Sequence, residues 1–443
     1  MFGYYLKIAW VSIRKTPLLS LLIVLTVAVG IAASMTTYTV QYMMSKDPLP
    51  GLSDRTFQIQ LNSWGPEKPY GYEGDEERTT RHITLQDAKN LLAAKQAPLQ
   101  AAIGEFAEFV YSEDQSFSDG IGTDIRTVTI DFFAMMRVPF LYGTAWSAED
   151  DEAGTDVTII SKKLNDKLFG GVNSIGKSIV IGEQQYRIVG VLDDWPMLPK
   201  FYGAPFEAYQ PTRDVFVPFF NQIRRELLTR SELAFNCWKT PADDSIRAFF
   251  NSECVWIMFW VQLDSPSDRE RYLNFIFDYA KDQRRFGRFL RDGFHKMFSV
   301  EEYLLNEEVV SKDTKIGVWL AFLFLIVCLL NCMSLMTAKF HSKAAEVGLR
   351  RAVGASKQNL FAQFSCEILL LASFSAVLGM LMTLAGLHFT KSAYSYLSAE
   401  LMTMDVNMVL ATIGLAIIAT MAFGLIPIIK AIQVQPASQL KSQ

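Results

Sequence analysis

Four long apolar runs constrain the fold of this chain more than any other feature of its sequence. They cover residues 18–40, 316–338, 368–389 and 406–429. Each run is near or above the roughly 20 residues that cross about 30 Å of hydrocarbon as a helix. The first run is long, follows an amphipathic stretch and lacks a convincing small-residue cleavage site, so we expect a retained membrane helix and not a signal peptide. The sequence therefore predicts four transmembrane helices.

The composition and the positions of the basic residues predict how these helices are oriented. The chain is 50% hydrophobic and 20% charged, with a net charge of −4, so we expect a membrane part and a polar domain. Lys and Arg near helix ends favour the cytoplasmic side, and they mark the segments 1–17, 339–367 and 430–443. These residues are Lys7, Arg14, Lys15, Lys339, Lys343, Arg350, Arg351, Lys357, Lys430 and Lys441. The short loop 390–405 has no positive excess and is expected outside, together with residues 41–315.

The outer block 41–315 is large enough to bury a core of its own, and its patterns alternate between strand and helix. Strands are predicted at 57–61, 157–160, 178–181, 186–192 and 255–263, and helices at 84–92, 161–169 and 268–289. Thr84 supplies an N-cap hydroxyl, and Gly170 with Gly171 ends the second of these helices. We therefore predict a membrane protein of four transmembrane α-helices with a large α+β domain inserted between helices 1 and 2.

One stretch of this block matches the pattern of a phosphate-binding loop. Residues 171–178, G-V-N-S-I-G-K-S, fit G-x-x-x-x-G-K-[ST] at every position. A working loop follows a strand and opens a helix, so that backbone amides and the helix N-terminus converge on the phosphates. Here a helix pattern precedes the stretch and a β-rich segment follows it. We therefore expect a turn between a helix and a hairpin, and no nucleotide site.

The histidines and cysteines are not arranged as a catalytic or metal site. No H-x-x-x-H or C-x-x-C pair supplies metal ligands. The histidines are scattered, at His82, His295, His341 and His388, and three cysteines fall in or beside membrane helices, at Cys328, Cys332 and Cys366. Cys237 and Cys254 lie in the outer block, where they could be free buried thiols or a disulfide in an oxidising compartment. We expect no catalytic residue, metal or cofactor in this chain.

Aromatic residues are concentrated in one part of the outer block. They are Trp195, Phe201, Phe216, Phe219, Phe220, Trp238, Trp256 and Trp260. Such a concentration fits either an apolar groove or the packing of a core and its interfaces.

A charged segment between the second and third apolar runs is the candidate functional site. Residues 346–356 read E-V-G-L-R-R-A-V-G-A-S. Glu346 and Arg350 are one helical turn apart, which permits an ion pair, and Gly348 and Gly354 permit close backbone approach or a helix end. Arg350 and Arg351 can reach the carboxylates of a partner protein or hold the loop on anionic lipid. Ser356 closes the segment.

This segment and two further stretches resemble the MacB/FtsX-like family of ABC transporter permeases, also called the type VII or mechanotransmission class. Residues 157–192 resemble the family's periplasmic core pattern, in which a helix ends in L-F-G and is followed by I-G-K and a strand ending in V-G-V. Residues 427–440, P-I-I-K-A-I-Q-V-Q-P-A-S-Q-L, resemble its closing pattern P-x-x-K-A with a later P-A-x-x-L. The resemblance implies a multi-pass protein of the cell inner membrane, with a MacB-like core domain in the periplasm.

The resemblance also implies partners and a mechanism. A full MacB carries its ATPase ahead of the first helix, whereas here residues 1–17 have room only for an amphipathic helix on the inner leaflet. We therefore expect a separate ABC ATPase subunit, which binds ATP and magnesium and contacts Glu346, Gly348, Arg350, Arg351, Gly354 and Ser356. A second permease, identical or related, would complete a homodimer or heterodimer. Membrane lipids surround it, and no nucleic acid is expected.

The resemblance leaves three cargo hypotheses open. The first is a tripartite efflux assembly, in which a periplasmic adaptor and an outer-membrane channel carry peptides, toxins or antibiotics. The second is lipoprotein release in the manner of LolC/LolE, for which the aromatic region would hold lipid. The third is FtsX-like signalling to a cell-wall hydrolase, without transport.

Overall fold

The computed structural model describes residues 2–67, 70, 78–114, 118, 120–228, 235–291 and 294–433. The chain forms two compact units. The helical unit comprises Met1–Ser45 and Val310–Gln443, and the α+β unit comprises Lys46–Val309. The predicted tail 430–443 and closing pattern 427–440 lie outside the described residues from position 434 onward.

The elements follow one another in chain order. The helices are α1 (Phe2–Lys15), α2 (Pro17–Met44), α3 (Leu85–Ala94), α4 (Asp131–Met135), α5 (Ala148–Ala153), α6 (Lys162–Phe169), α7 (Phe219–Arg224), α8 (Ile246–Phe250), α9 (Asp268–Arg284), α10 (Val300–Asn306), α11 (Lys312–His341), α12 (Ala344–Ala352), α13 (Lys357–Ala393) and α14 (Val406–Ile432). The strands are β1 (Thr56–Gln60), β2 (Leu99–Ser112), β3 (Ile121–Val128), β4 (Phe140–Gly143), β5 (Val157–Ile160), β6 (Ser178–Ile181), β7 (Gln184–Leu192), β8 (Val215–Pro218), β9 (Asn236–Cys237), β10 (Cys254–Val255), β11 (Met258–Gln262) and β12 (Lys296–Ser299). Two 3₁₀ turns occupy Pro205–Glu207 and Ala399–Met402.

Four helices of the described chain, α2, α11, α13 and α14, are long and apolar enough to cross a membrane, the last together with the 3₁₀ turn before it. Each is longer than the apolar run that predicted it, because polar residues at the ends continue the helix. Side-chain caps fix several starts: Ser311 caps α11, Ser356 caps α13 and Asp405 caps α14. With 28 and 30 residues, α2 and α11 are roughly 42 and 45 Å long at about 1.5 Å per residue. Both exceed the thickness of a hydrocarbon core.

Helix α2 packs closely against two of the other membrane helices because glycines occupy the contacts. A Cβ placed at Gly30 would lie 2.9 Å from Cβ of Cys328 on α11. On another side of α2, Gly379 of α13 leaves room for Ile31. Of the small residues in the first apolar run, Gly30 therefore serves a contact within this chain.

The α+β unit is built on a ten-stranded mixed sheet. Its order is β12-β1-β11-β2-β3-β8-β5-β7-β4, and β6 pairs with both β2 and β7. Most pairs are antiparallel, whereas β3 with β8 and β5 with β7 are parallel. Strand residues alternate between two cores: Phe259 and Val261 of β11 belong to the core with α3 and α9, and Met258 and Trp260 belong to the opposite one. The predicted α+β class is confirmed.

The aromatic concentration of the sequence forms core and not an open groove. Phe201, Phe216, Phe219, Trp256 and Trp260 are all buried. The ring of Trp260 packs edge-on against Phe201 at 4.7 Å and against Tyr303 at 5.4 Å between ring centroids. Of the two explanations offered by the sequence, core packing is the one found for these five side chains.

Three local predictions can be compared with the structure. Residues 171–178 turn the chain from α6 into strand β6, with positive φ at Gly171 and Gly176, so the helix that a phosphate loop requires does not follow them. The predicted helix 268–289 ends earlier, at Arg284, because Arg288 turns inward to a buried pair with Asp87 at 2.8 Å. Cys237 and Cys254 form a disulfide between β9 and β10, so they are not free thiols.

Candidate coupling site

The short helix α12 occupies most of the candidate segment. It lies between the membrane helices α11 and α13 in the chain. Shortly after its C-terminal end, Gly354 has a φ of +104°, a backbone conformation that favours a residue without Cβ and that ends the helix. Two residues later the Ser356 hydroxyl accepts a hydrogen bond of 3.2 Å from the backbone N–H of Asn359 and begins α13. Gly354 and Ser356 therefore define where one helix ends and the next begins.

Glu346 and Arg350 form the ion pair that their spacing permits. Nη2 of Arg350 lies 2.5 Å from Oε1 of Glu346, and Nη1 donates a 2.7 Å hydrogen bond to Oε1 of Gln363 on α13. Nη1 of Arg351 lies 3.5 Å from the backbone carbonyl oxygen of Ile432, near the end of α14. Both arginines thus connect α12 to neighbouring helices of the same chain.

The inner and outer faces of α12 differ in chemistry. Ala344, Val347 and Gly348 are buried, and α12 packs against α14. On the other face Leu349 is 65% exposed and Val353, just after the helix, is 82% exposed. Two large apolar side chains four residues apart therefore point away from the protein. These two side chains were not predicted as part of the site, although an apolar pair at this spacing in a charged segment between two membrane helices was a usable signal.

A buried ionic cluster lies next to α12. Oε1 of Glu367 on α13 is 2.8 Å from Nζ of Lys339 and 3.0 Å from Nζ of Lys343. It also accepts a 2.5 Å hydrogen bond from the hydroxyl of Ser12 on α1, and Lys339 donates one of 2.8 Å to the hydroxyl of Ser20 on α2. Lys339 and Glu367 are both 0% exposed. We name these five residues the ionic cluster; it joins α1, α2, α13 and the end of α11.

The contact of Glu367 with these lysines was not predicted from the sequence. Lys339 and Lys343 were assigned only to the basic excess that orients the helices. Their spacing of four residues, which places both on one side of a helix, and the single carboxylate at the start of the next membrane helix were the available signal.

Among the residues that the structure describes, no three His, Cys, Asp or Glu side chains are grouped so as to hold a metal ion. Two histidines of the α+β unit are kept neutral by their surroundings. Burial, with Arg81 nearby, lowers the pKa of His82 to about 3, and burial, with Arg284 nearby, lowers the pKa of His295 to about 4. Nδ1 of His295 accepts a 3.2 Å hydrogen bond from the backbone N–H of Asn62. Both rings are structural.

Two family models match this chain and together cover most of it. The model described as the MacB-like periplasmic core domain matches residues 20–273. The model described as the FtsX-like permease C-terminal region matches residues 318–436, which include α12, both lysines and Glu367.

Curated relatives are distant in sequence. The pyoverdine export ATP-binding/permease protein PvdT of Pseudomonas entomophila (strain L48) is 23% identical over 319 residues, which cover 70% of this chain and 42% of that protein. The macrolide export ATP-binding/permease protein MacB of Campylobacter jejuni subsp. jejuni is 20% identical over 445 residues, covering 99% of this chain and 61% of that protein. This chain thus spans about half of the length of these relatives. The crystal structure of the periplasmic region of MacB from Actinobacillus actinomycetemcomitans aligns with a TM-score of 0.37 at 9% identity, over 60% of this chain and 99% of that one.

Proposed function

This chain belongs to the MacB/FtsX-like family of ABC transporter permeases, and from that premise we propose that it couples ATP hydrolysis on a separate ATPase subunit to movement of its α+β domain. ATP and magnesium would bind to the ATPase, and α12 would be the surface that the ATPase contacts. The exposed apolar pair Leu349 and Val353 carries this proposal. Two large apolar side chains exposed four residues apart, on a short helix that we expect to face the cytoplasm, are suited to a surface that a partner covers.

The contacts of α12 are suited to transmitting a mechanical force from the ATPase to the membrane helices. A force on Leu349 would reach α13 through Arg350 and its hydrogen bond to Gln363. It would reach the same helix through Lys343, just ahead of α12, and its pair with Glu367. From Glu367 the contacts continue to Ser12 of α1, and through Lys339 to Ser20 of α2. Short, charge-assisted contacts of this kind are stiffer than apolar packing because each fixes a direction as well as a distance.

Helices α2 and α11 would carry the motion outward. Each is longer than a hydrocarbon core is thick, and the two run into the chain ends of the α+β unit, at Lys46 and Val309. They also touch closely at Gly30 and Cys328, so they would move as a pair. A second permease subunit, identical or related, would supply the other half of the assembly, as in the family.

Export from the periplasm is the transport function that this assembly would serve. The relatives are named for pyoverdine and macrolide export, which supports a tripartite assembly in the inner membrane with a periplasmic adaptor and an outer-membrane channel, and a cargo of peptides, toxins or antibiotics. The aromatic side chains that would have favoured lipoprotein release are largely buried in the core.

Replacing the exposed apolar pair tests the proposal and should leave the fold unchanged. We expect Leu349→Asp with Val353→Asp to insert normally and to lose co-purification with the ATPase, which affinity purification from native membranes and mass spectrometry would identify. The matched control is Val172→Asp with Ile175→Asp, another exposed apolar pair, on the α+β unit. Glu346→Lys or Arg350→Glu, each made singly, breaks the ion pair. Each variant should insert normally and show weaker stimulation of ATP hydrolysis. Undiminished co-purification and stimulated ATP hydrolysis in the Leu349/Val353 variant would refute the assignment.

A further inference from the structure

A groove of about 360 Å³ lies between α1, α12 and α13. Each helix contributes residues spaced three or four apart, so that one face of each helix lines it. From α1 these are Tyr4, Lys7, Ile8, Val11, Ser12 and Lys15. The amphipathic N-terminal helix therefore does not only lie on the membrane surface; it forms one wall of a cavity whose other wall is the coupling helix.

The charges around this groove are unbalanced. Lys343 and Lys339 share the single carboxylate of Glu367, and Arg350 is matched by Glu346. Lys7 and Lys15, both exposed on the groove-facing side of α1, have no ion pair with any residue that the structure describes. The lining of the groove therefore carries four cations and the carboxylate of Glu346, and the charges of Lys7 and Lys15 are not offset by an ion pair among the described residues. A cation-lined cavity of this kind attracts an anion that bears more than one oxygen acceptor.

Much of the remaining lining is apolar, and the groove lies beside the first turns of the membrane-capable helix α13. Ile8, Val11, Val347 and Phe364 belong to its lining. Elsewhere along the same two helices, Trp10 of α1 packs on Phe374 of α13 at 6.0 Å between centroids, and the guanidinium of Arg14 lies 5.0 Å from the Trp10 ring. Tryptophan and arginine together are typical of the interface between headgroups and acyl chains. A ligand with an anionic head and an apolar body matches both parts of the groove.

We propose that this groove binds an anionic membrane phospholipid, with Lys7 and Lys15 holding its phosphate and the apolar wall receiving the start of its acyl chains. Basic pockets at the cytoplasmic ends of membrane helices recognise such headgroups by charge. The bound lipid would bridge α1 and α12, so it would also determine how firmly the coupling helix is held. The site rests on the groove itself and does not depend on the proposed transport function.

Native mass spectrometry of the full chain in detergent tests the proposal. Phosphatidylglycerol and phosphatidylcholine are titrated separately onto delipidated protein. We expect phosphatidylglycerol to bind at least tenfold more tightly, and Lys7→Gln with Lys15→Gln to weaken that binding by about tenfold to thirtyfold. Lys7→Arg with Lys15→Arg should retain it. The matched control, Lys89→Gln with Lys167→Gln, removes the same charge from exposed positions of the α+β unit and should leave binding unchanged.

Other arms of the experiment separate the competing ligands. Displacement of the lipid by millimolar inorganic phosphate would show a simple anion site and overturn the assignment to lipid, as would equal binding of both lipids. A Lys7/Lys15 variant that binds lipid normally but loses the ATPase would show that a protein segment occupies the groove. Should the glutamine variant fail to fold, Val11→Trp fills the groove without changing its charge, and unaltered phosphatidylglycerol binding by that variant would equally refute the proposal.

Discussion

The ionic cluster makes a quantitative prediction about stability. Replacing Glu367 by Met leaves Lys339, in a fully buried position, without the carboxylate that it contacts in the described structure. At an effective dielectric constant of about 20, one pair at 2.8 Å is worth on the order of 6 kcal/mol before desolvation. Desolvation of the two ions offsets several kcal/mol of this. We therefore expect Glu367→Met to cost about 3–5 kcal/mol of unfolding free energy, the usual penalty for a buried charge left alone.

A paired substitution separates two costs: the loss of the attraction between Lys339 and Glu367, and the burial of a lysine charge without a carboxylate. In Lys339→Met with Glu367→Met both charges are gone, and two methionines fill a similar volume. Lys343, whose side chain is 14% exposed, can turn toward water, so it needs no carboxylate. We expect the double variant to be at least 2 kcal/mol more stable than Glu367→Met alone, although it has one more substitution.

Reversible unfolding in mixed micelles, followed by tryptophan fluorescence, measures the four states of this double-mutant cycle. Lys339→Met alone completes it. A double variant no more stable than Glu367→Met would refute the reasoning, because it would mean that Lys339 never depended on the carboxylate. If the double variant folds stably but no longer responds to the ATPase, the cluster serves transmission more than stability.

Two further predictions concern other parts of the chain. The pKa of His295 is about 4 in the folded state and about 6.5 when unfolded, so the unfolded chain gains a proton at this ring as the pH falls below 6.5. His295 alone should therefore lower the unfolding free energy by about 1.6 kcal/mol between pH 6.5 and pH 5. The protection factor of the Asn62 amide, which is the observed exchange rate corrected for the intrinsic rate at each pH, should fall over that range, less so in His295→Asn. An unchanged protection factor in the wild type would contradict this. Gly30→Ala should cost about 1–3 kcal/mol, because its Cβ would meet Cys328, whereas Gly414→Ala, with nothing within 4 Å, should not; thermal unfolding of both variants in micelles checks this, and equal stabilities would count against the contact.

The sequence was sufficient for the features that depend on local pattern. Hydropathy located four membrane helices, and the cap of α3 at Thr84 and the end of α6 at Gly170 lie where their residue types predicted. The context around Gly171 likewise separated a turn from a phosphate loop. In each case the physical cause lies within a few residues of the feature, so a single sequence contains it.

Features that depend on distant partners were not accessible in this way. The helix predicted to continue to Phe289 ends at Arg284, because Arg288 pairs with Asp87, about 200 positions away in the chain. Similarly, nothing near Cys237 reveals that Cys254 lies 4.2 Å from it between Cα atoms. A basic residue at a helix end can either mark the cytoplasmic side or form a buried ion pair. The sequence suggested the first role for Lys339, and the packed helices also show its ion pair with Glu367.

Contacts with distant residues also change which side chains of α12 we expect to contact the ATPase. From the sequence, Arg350 and Arg351 were two of the six residues expected to contact the ATPase, and the structure shows that Arg350 also contacts Glu346 and Gln363 of its own chain. An arginine that is paired within its own chain stiffens the helix, whereas Leu349 and Val353 are more exposed and have no polar contact to lose. Contact with the ATPase would therefore depend on the apolar pair Leu349 and Val353, while the charges pass the resulting force into α13 and the ionic cluster. Arg350→Lys would keep the positive charge but lose the planar guanidinium that contacts Glu346 and Gln363 at the same time. We therefore expect this variant to bind the ATPase and to couple it less well to the membrane helices.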